Sequence, residues 1–400
     1  MGRENMIRPS REEYVKLAIS HTKFNRRTET VSLMDSIGRV TAKDIYSLNT
    51  LPNRPTSAMD GIAVRYDDLL NGNVDTAQWE QGKDYIFSNT GIAVPFQYDT
   101  VIRIEAVEFD EGNKLHITKL PSYKGQGIHP PGMVMKKGDL LLPENYFITA
   151  SQLGVLASGG IWELEVIAKP KVAVIPTGDE LVPAGIPLPP GKNIETNSIV
   201  MEALIKKWNG QPVIYPIIPD DPDRIYSVLC QAVDQSDIVI LNAGASKGTH
   251  DYAISILEKV GDVLAYEVAH GPARPTSLAI ANGTPILGLV GPPIGAELTA
   301  HWYVRPLIDE YLNQPSLKPQ TLEVKLLEPV RSRGTLDFFV QLLVAEKDGN
   351  YVGSRVRGRV DSSVRANAIL RIPSGVQYEA GDEVQVELKV PIEYINKEQG

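Results

Sequence analysis

The chain has 400 residues, 42% hydrophobic and 22% charged, with 40 Lys plus Arg against 49 Asp plus Glu and a formal charge of −9. That length exceeds one ordinary core and suggests roughly two to four domains, while the negative charge opposes non-specific nucleic-acid binding, which depends on phosphate neutralisation. No apolar run approaches the roughly 20 residues of a membrane span, and the opening Met1–Met6 lacks a secretory apolar stretch, so a cytoplasmic protein with no nucleic-acid or membrane partner is expected.

Residues 7–22 have the spacing of an amphipathic helix, with Ser10 placed to cap an acidic first turn. Between Leu51 and Leu142, short apolar runs (84–87, 100–105, 114–118) alternate with Gly, Asn and Pro, which predicts β structure with loops. Four glycines and two prolines in 125–138 mark a connection, and 149–158 predicts a short capped helix. From Lys171 the pattern becomes regular. Strand-like runs at 171–176, 212–219, 237–241, 263–268 and 285–290 are interleaved with helical spacing at 197–208, 223–234, 252–260 and 294–312. Strands alternating with helices imply crossovers and a mainly parallel sheet. After Pro315, runs at 321–327, 336–345, 368–372 and 383–390 with Gly-rich turns predict a separate small β domain.

The single cysteine, Cys230, lies on the helical segment 225–233, where core packing is the ordinary reading and a reactive thiol the sharper one. One Cys and six scattered His exclude a structural zinc site.

In open α/β sheets, ligands bind beyond the carboxyl ends of the strands. Here the first strand runs into Thr177-Gly178-Asp179-Glu180, the second into Asp220-Asp221 and the third into Asn242-Ala243-Gly244-Ala245-Ser246-Lys247-Gly248, while 285–290 ends in Gly291-Pro292-Pro293. Four strand ends thus carry carboxylates or glycines that allow close approach, which points to a phosphorylated small molecule. The 242–251 loop matches neither the P-loop nor the dinucleotide fingerprint, and an ordinary strand-to-helix turn capped by Thr249 or Asp251 is the alternative. Asp220 and Asp221 precede Pro222 and a helix, so capping is their alternative role. An anion beside several carboxylates is repelled unless a divalent cation intervenes, so the combination predicts Mg²⁺. Far away in sequence, Ser57-Ala58-Met59-Asp60-Gly61 reads on composition alone as a loop entering a strand, with Asp60-Gly61 as a turn.

Taken together, these segments resemble the molybdopterin molybdenumtransferase family (MoeA and the gephyrin E domain) over nearly the whole chain. The most specific match is Ser57-Ala58-Met59-Asp60-Gly61; others are Asn89-Thr90-Gly91 with Pro95, Pro176-Thr177-Gly178-Asp179-Glu180-Leu181, Asn197-Ser198, Asp220-Asp221, Gly244-Ala245-Ser246 with Gly248 and Asp251, Gly288–Pro293, and Ala366-Asn367-Ala368. The resemblance implies a multidomain α/β protein: a first helix (1–22) packed on a three-layer molybdopterin-binding domain (170–312), a linker and dimerisation domain (23–44 with 135–169), a β-rich domain (45–134) carrying the Asp60 loop, and a C-terminal barrel-like domain (318–400). It implies insertion of molybdate into adenylylated molybdopterin with release of AMP, in a homodimer whose Asp60 loop reaches the partner's pterin site. A molybdopterin adenylyltransferase and a recipient molybdoenzyme are the protein partners it suggests.

By this resemblance Asp60, Glu180, Asp251 and Thr90 are the catalytic candidates, and Asp60, Glu180 and Asp251 the ligands of Mg²⁺. The substrate-binding candidates are Ser57, Gly178, Asp179, Asn197, Asp221, Gly244, Ser246, Lys247, Gly248, Arg274, Gly291, Pro292 and Pro293. Departures from the family pattern fall at Ala269–Pro275, where a Lys-Pro-Gly-Lys-Pro-like run is usual, at Pro292 in place of Asn, at Gly132-Met133-Val134 in place of an acidic element, and at Thr249. They frame the rival function, a molybdopterin-binding carrier, sensor or scaffold without turnover. Adenylylation of the pterin is a third reading, opposed by the extra domains.

Overall fold

Ser10 does begin the first helix. A computed structural model describes residues 8–70, 75–243, 247–316, 318–332 and 334–395, with 247–252 and 359 in backbone only. Ser10 Oγ accepts the Glu13 N–H at 3.3 Å while the Ser10 N–H donates to the Glu13 carboxylate at 2.8 Å, closing a capping box on Arg11–His21. Ser10→Ala is expected to lower stability by about 1 kcal/mol, seen as a lower melting temperature; an unchanged melt would show that the cap contributes nothing. The helix is anchored by Tyr14, fully buried, whose hydroxyl donates to the Ser277 carbonyl at 2.8 Å and whose ring lies 4.0 Å from that of Tyr303.

The chain divides into two units, Thr28–Ile167 and the remainder. The larger unit contains a six-stranded sheet in the order Gln211–Ile214, Lys171–Pro176, Ile238–Ala243, Thr284–Val290, Ser277–Ala281, Asp262–Ala265. The first four strands are parallel and Ser277–Ala281 is antiparallel to both its neighbours. Alternate residues of the central strands face opposite layers. Ala173, Ile175, Val239 and Leu241 pack with Leu229, Val233, Ile254 and Leu257 of the helices Pro222–Gln235 and Lys247–Val260. The helices Arg11–His21, Asn197–Lys207 and Pro293–Tyr311 also pack against sheet strands, completing an α/β architecture.

Four sequence expectations need correction here. The run 212–219 forms a strand only over Gln211–Ile214, and 263–268 only within Asp262–Ala265. The strand Ser277–Ala281 was not expected, although Asn282-Gly283 turns it into its neighbour with φ of +52° and +85°, as a two-residue hairpin requires. The helix expected over 294–312 is interrupted by a π segment, Ala300–Val304. Pro306 explains this, because its ring removes a backbone donor and crowds the preceding turn.

The C-terminal strands close into a five-stranded barrel, running Asp337–Lys347, Asn350–Arg355, Thr321–Leu326, Glu383–Leu388, Ala368–Ile372 and back to the first. Val324, Leu326, Leu342, Leu370 and Val386 fill it. The strand Asn350–Arg355 was missed in the sequence and follows an Asp348-Gly349 turn with φ of +50° and +76°. One segment that departs from the family pattern, Ala269–Pro275, joins barrel to sheet: His270-Gly271 pairs with Asp337-Phe338, and the buried His270 ring packs among Trp302, Tyr303 and Phe339. Burial pushes the His270 pKa down to about 4, so it serves as a neutral packing group.

The unit Thr28–Ile167 has one core of Leu33, Ile45, Leu142, Ile148, Leu156 and Val166, with Thr28–Ser32 paired to Glu163–Ile167. Another surrounds a three-stranded antiparallel sheet in which Gly61–Val64 lies between Tyr85–Ser88 and Thr100–Arg103, all four of its residues buried. Gly61 therefore starts a central strand instead of finishing a turn.

Candidate functional site

The strand-end loops of the parallel sheet meet. The Thr177 N–H donates to the Asn242 carbonyl at 3.0 Å, and the Gly178 N–H to the Ile218 carbonyl at 3.1 Å. Gly178 has φ of +149°, a conformation that residues with a side chain rarely adopt, so glycine suits this turn of the loop. The Asp220 N–H donates to the Asp179 carboxylate at 3.2 Å, and Lys192 donates to the Asp179 carbonyl at 2.6 Å. Asn197 donates from one amide nitrogen to Asn242 Oδ1 at 2.8 Å and to the Gly291 carbonyl at 2.9 Å.

Asp221 caps its helix: one carboxylate oxygen accepts the N–H groups of Asp223 at 2.9 Å and Arg224 at 3.1 Å. Asp220 and Glu180 remain as exposed carboxylates of this edge. Partial burial, and then the negative charges of Asp179 and Glu180, hold the Asp220 carboxyl above the usual carboxylate range, against the lowering effect of a hydrogen bond from the Asp179 backbone. A raised pKa means that folding favours the protonated form, so this group's contribution is present at low pH and lost as pH rises through the folded value. Asp220→Asn should therefore stabilise the protein at neutral pH, by a few tenths of a kcal/mol for so exposed a group. That gain should fade below about pH 4, where free carboxyls are protonated. Melting curves at both pH values test this, and a variant less stable at neutral pH contradicts it.

Pro292 and Pro293 form the turn into Pro293–Thr299, with the Pro292 carbonyl accepting the Ala296 N–H at 3.0 Å. Arg274 is engaged by Glu267, at 2.9 Å from Nε and 2.8 Å from the other guanidinium end. Gly244 and Ser246 lie outside the described residues. Lys247, Gly248 and Asp251 belong to the backbone of the helix Lys247–Val260, which starts earlier than the expected Tyr252.

In the unit Thr28–Ile167, Asp60 and Thr90 do come together. One Asp60 oxygen accepts the Thr90 N–H at 2.7 Å and its hydroxyl at 3.0 Å. These two bonds, the backbone one first, hold the exposed Asp60 carboxyl below the usual range, so it is ionised at neutral pH. The loop beneath is held by Ser57, buried, whose hydroxyl donates to the Met59 carbonyl at 2.5 Å and whose backbone pairs with Ile92 and Gly91. Among the described residues there is no cluster of three or more His, Cys, Asp or Glu able to hold a metal; of the expected trio Asp60, Glu180 and Asp251, the Asp251 side chain lies outside them. Glu180 and Asp60 belong to different units.

Two residues were undervalued in the sequence. Asn242 ends the apolar run Ile238–Leu241 and is 4% exposed, and a buried amide demands partners. Glu195, buried, accepts the Ser198 N–H at 3.0 Å and so fixes the start of the helix bearing Asn197.

Comparison with known proteins fits this arrangement. Residues 10–160 match the family model described as the MoeA N-terminal region (domain I and II), and 173–310 match the probable molybdopterin binding domain. A molybdopterin molybdenumtransferase of Haemophilus influenzae is 32% identical over 79% of this chain and 81% of its own length. One from a Nostoc species is 28% identical, covering 91% and 89%. The crystal structure of a molybdopterin biosynthesis MoeA protein from Pyrococcus horikoshii superposes with a TM-score of 0.77 at 27% identity, covering 97% of this chain and all of that one. No helix among the described residues is long and apolar enough to cross a membrane.

Proposed function

Since the chain belongs to the molybdopterin molybdenumtransferase family, we propose that its strand-end edge binds the pterin phosphate and that Asp60 acts on the molybdate-inserting step. It is a transferase of molybdenum cofactor biosynthesis. The relatives' names favour turnover over the carrier reading.

The observation that carries the site is the convergence of four loops on one edge. Thr177, Ile218, Asn242 and Gly291 are linked there by backbone and amide hydrogen bonds. Molybdopterin adenylylated on its phosphate would lie across these loops, with molybdate as the second substrate. The pterin's two thiols bind molybdenum as one molybdate oxygen leaves with their two protons as water, and one water cleaves the phosphoanhydride to the pterin phosphate and AMP, so the protein mainly supplies proximity and charge placement. Asp60, kept ionised by Thr90, is suited to orient a donor or accept a proton near the anhydride. A divalent cation fits the charge of the Asp179, Glu180 and Asp220 edge, which alone repels a phosphate. Mg²⁺ would be held there by one or two of these carboxylates together with the substrate phosphates.

A homodimer in which Asp60 serves the partner's edge completes the proposal. Exposed Met34, Phe96, Val134 and Trp162 on the unit Thr28–Ile167 supply apolar surface for such a contact. Purified protein given adenylylated molybdopterin, Mg²⁺ and molybdate is expected to release AMP and form the cofactor. Tight pterin binding without AMP would instead establish the carrier. Mixing Asp60→Ala with Gly178→Trp subunits, each inactive alone, should restore up to about a quarter of the activity if sites are shared between two chains, and mixtures that stay inactive would refute the shared site.

A further inference from the structure

We propose that Asn242 is a positioning residue that fixes the Asn197 side chain and the Gly291-Pro292-Pro293 turn for pterin binding; this rests on the strand-end reading above. The parallel ladder between Ile238–Ala243 and Thr284–Val290 ends at the pair Ala243 and Val290. Beyond it the chain enters Gly291-Pro292-Pro293, where neither proline has an N–H to offer. Apart from the Gly291 N–H, the turn can be held only by its carbonyls or by packing. Side-chain amides take over there. Asn242 Nδ2 donates to the Val290 carbonyl at 2.8 Å and more weakly to that of Leu289 at 3.4 Å, while Asn197 Nδ2 donates to that of Gly291 at 2.9 Å.

The two amides also bind each other, Asn197 Nδ2 donating to Asn242 Oδ1 at 2.8 Å. The Asn242 main-chain carbonyl accepts the Thr177 N–H at 3.0 Å. One residue, 4% exposed, thus ties the loop at 177–180, the helix start at 197 and the turn at 291–293. Its amide orientation is determined, because the reverse would set oxygen against the Val290 carbonyl and nitrogen against the Asn197 donor. Fixing Asn242 fixes Asn197 in turn. Both Asn197 amide hydrogens are committed, so its remaining polar atom is an acceptor. A ligand group meeting that side chain must be a donor, as a pterin ring N–H is and a phosphate or molybdate oxygen is not.

Asn242→Leu keeps the size and removes both interactions. The expected result is about a tenfold rise in the dissociation constant for molybdopterin and in KM, as for loss of a buried hydrogen bond, with kcat for AMP release within about twofold and circular dichroism unchanged. Asn197→Leu should weaken binding similarly, and the double variant no further, because both act through one unit. Asn242→Asp guards against a misfolded leucine variant. Its carboxylate opposes the Val290 carbonyl, whereas the protonated acid can donate to it, so pterin affinity should recover as pH falls while wild type shows no such gain. Wild-type affinity in Asn242→Leu, or additive losses in the double variant, overturns the assignment. Failure of the wild-type protein itself to bind molybdopterin would remove the strand-end reading as well, and so is distinguishable.

Discussion

Replacing Asp60 with alanine is expected to reduce cofactor formation by at least about a hundredfold without changing the melting temperature. The carboxylate is exposed, and it accepts the N–H and hydroxyl of Thr90 at 2.7 and 3.0 Å. Removing an exposed acceptor leaves no buried group unsatisfied, so the fold loses little. The chemistry loses an ionised oxygen held at a set position. Asp60→Asn distinguishes charge from shape, since it keeps an oxygen for Thr90 but cannot take a proton. Thr90→Val is the complementary change. It removes the hydroxyl bond and leaves the backbone one, so the Asp60 pKa should move up toward the ordinary value. AMP release and cofactor yield, measured beside thermal melts, test the set. Full activity in Asp60→Ala would remove this residue from the mechanism, and a lowered melting temperature would mean that the loss of activity is structural.

The α/β part of the fold was legible because each central strand is buried on both faces and the helices Asn197–Lys207 and Pro222–Gln235 on one. Ile238–Leu241 is uniformly apolar, while 225–233 carries its buried positions at helical spacing. Edge elements were not legible in the same way. Gln211–Ile214 has only half-buried and exposed residues, and its apolar run continues to Pro219 without a strand. Asn282-Gly283 and Asp348-Gly349 were readable hairpin signals that lie between the expected runs, and the strands Ser277–Ala281 and Asn350–Arg355 beside them were overlooked. The site was legible in outline, as carboxylates and glycines at strand ends. Its internal wiring was not, because the pairing of Asn197 with Asn242 spans 45 positions and exists only once the strands are aligned. The role proposed for the Asp60 loop rests on family resemblance, since its composition matches any turn entering a strand.

Gly61 shows what that local reading left out and carries the largest expected effect on stability. It begins the strand Gly61–Val64, central between two antiparallel neighbours. A Cβ built there would lie 1.8 Å from the Ile102 carbonyl oxygen and 2.8 Å from its carbon. Both are backbone atoms of a paired strand, so no rotamer change relieves the clash, and Gly61–Val64 must separate from Thr100–Arg103. Gly61→Ala is therefore expected to destabilise the unit Thr28–Ile167 by about 3 kcal/mol or more, at the upper end for overpacking. Activity should fall with it, because the Asp60 carbonyl accepts the Ile104 N–H at 2.9 Å across the same strand pair. Urea unfolding followed by tryptophan fluorescence, with Trp79 and Trp162 in this unit, gives the measurement. Two adjacent substitutions should then behave oppositely: Asp60→Ala stable and inactive, Gly61→Ala unstable. A Gly61→Ala protein of wild-type stability would mean that the two strands do not approach as described, and the geometry that presents Asp60 would fail with it.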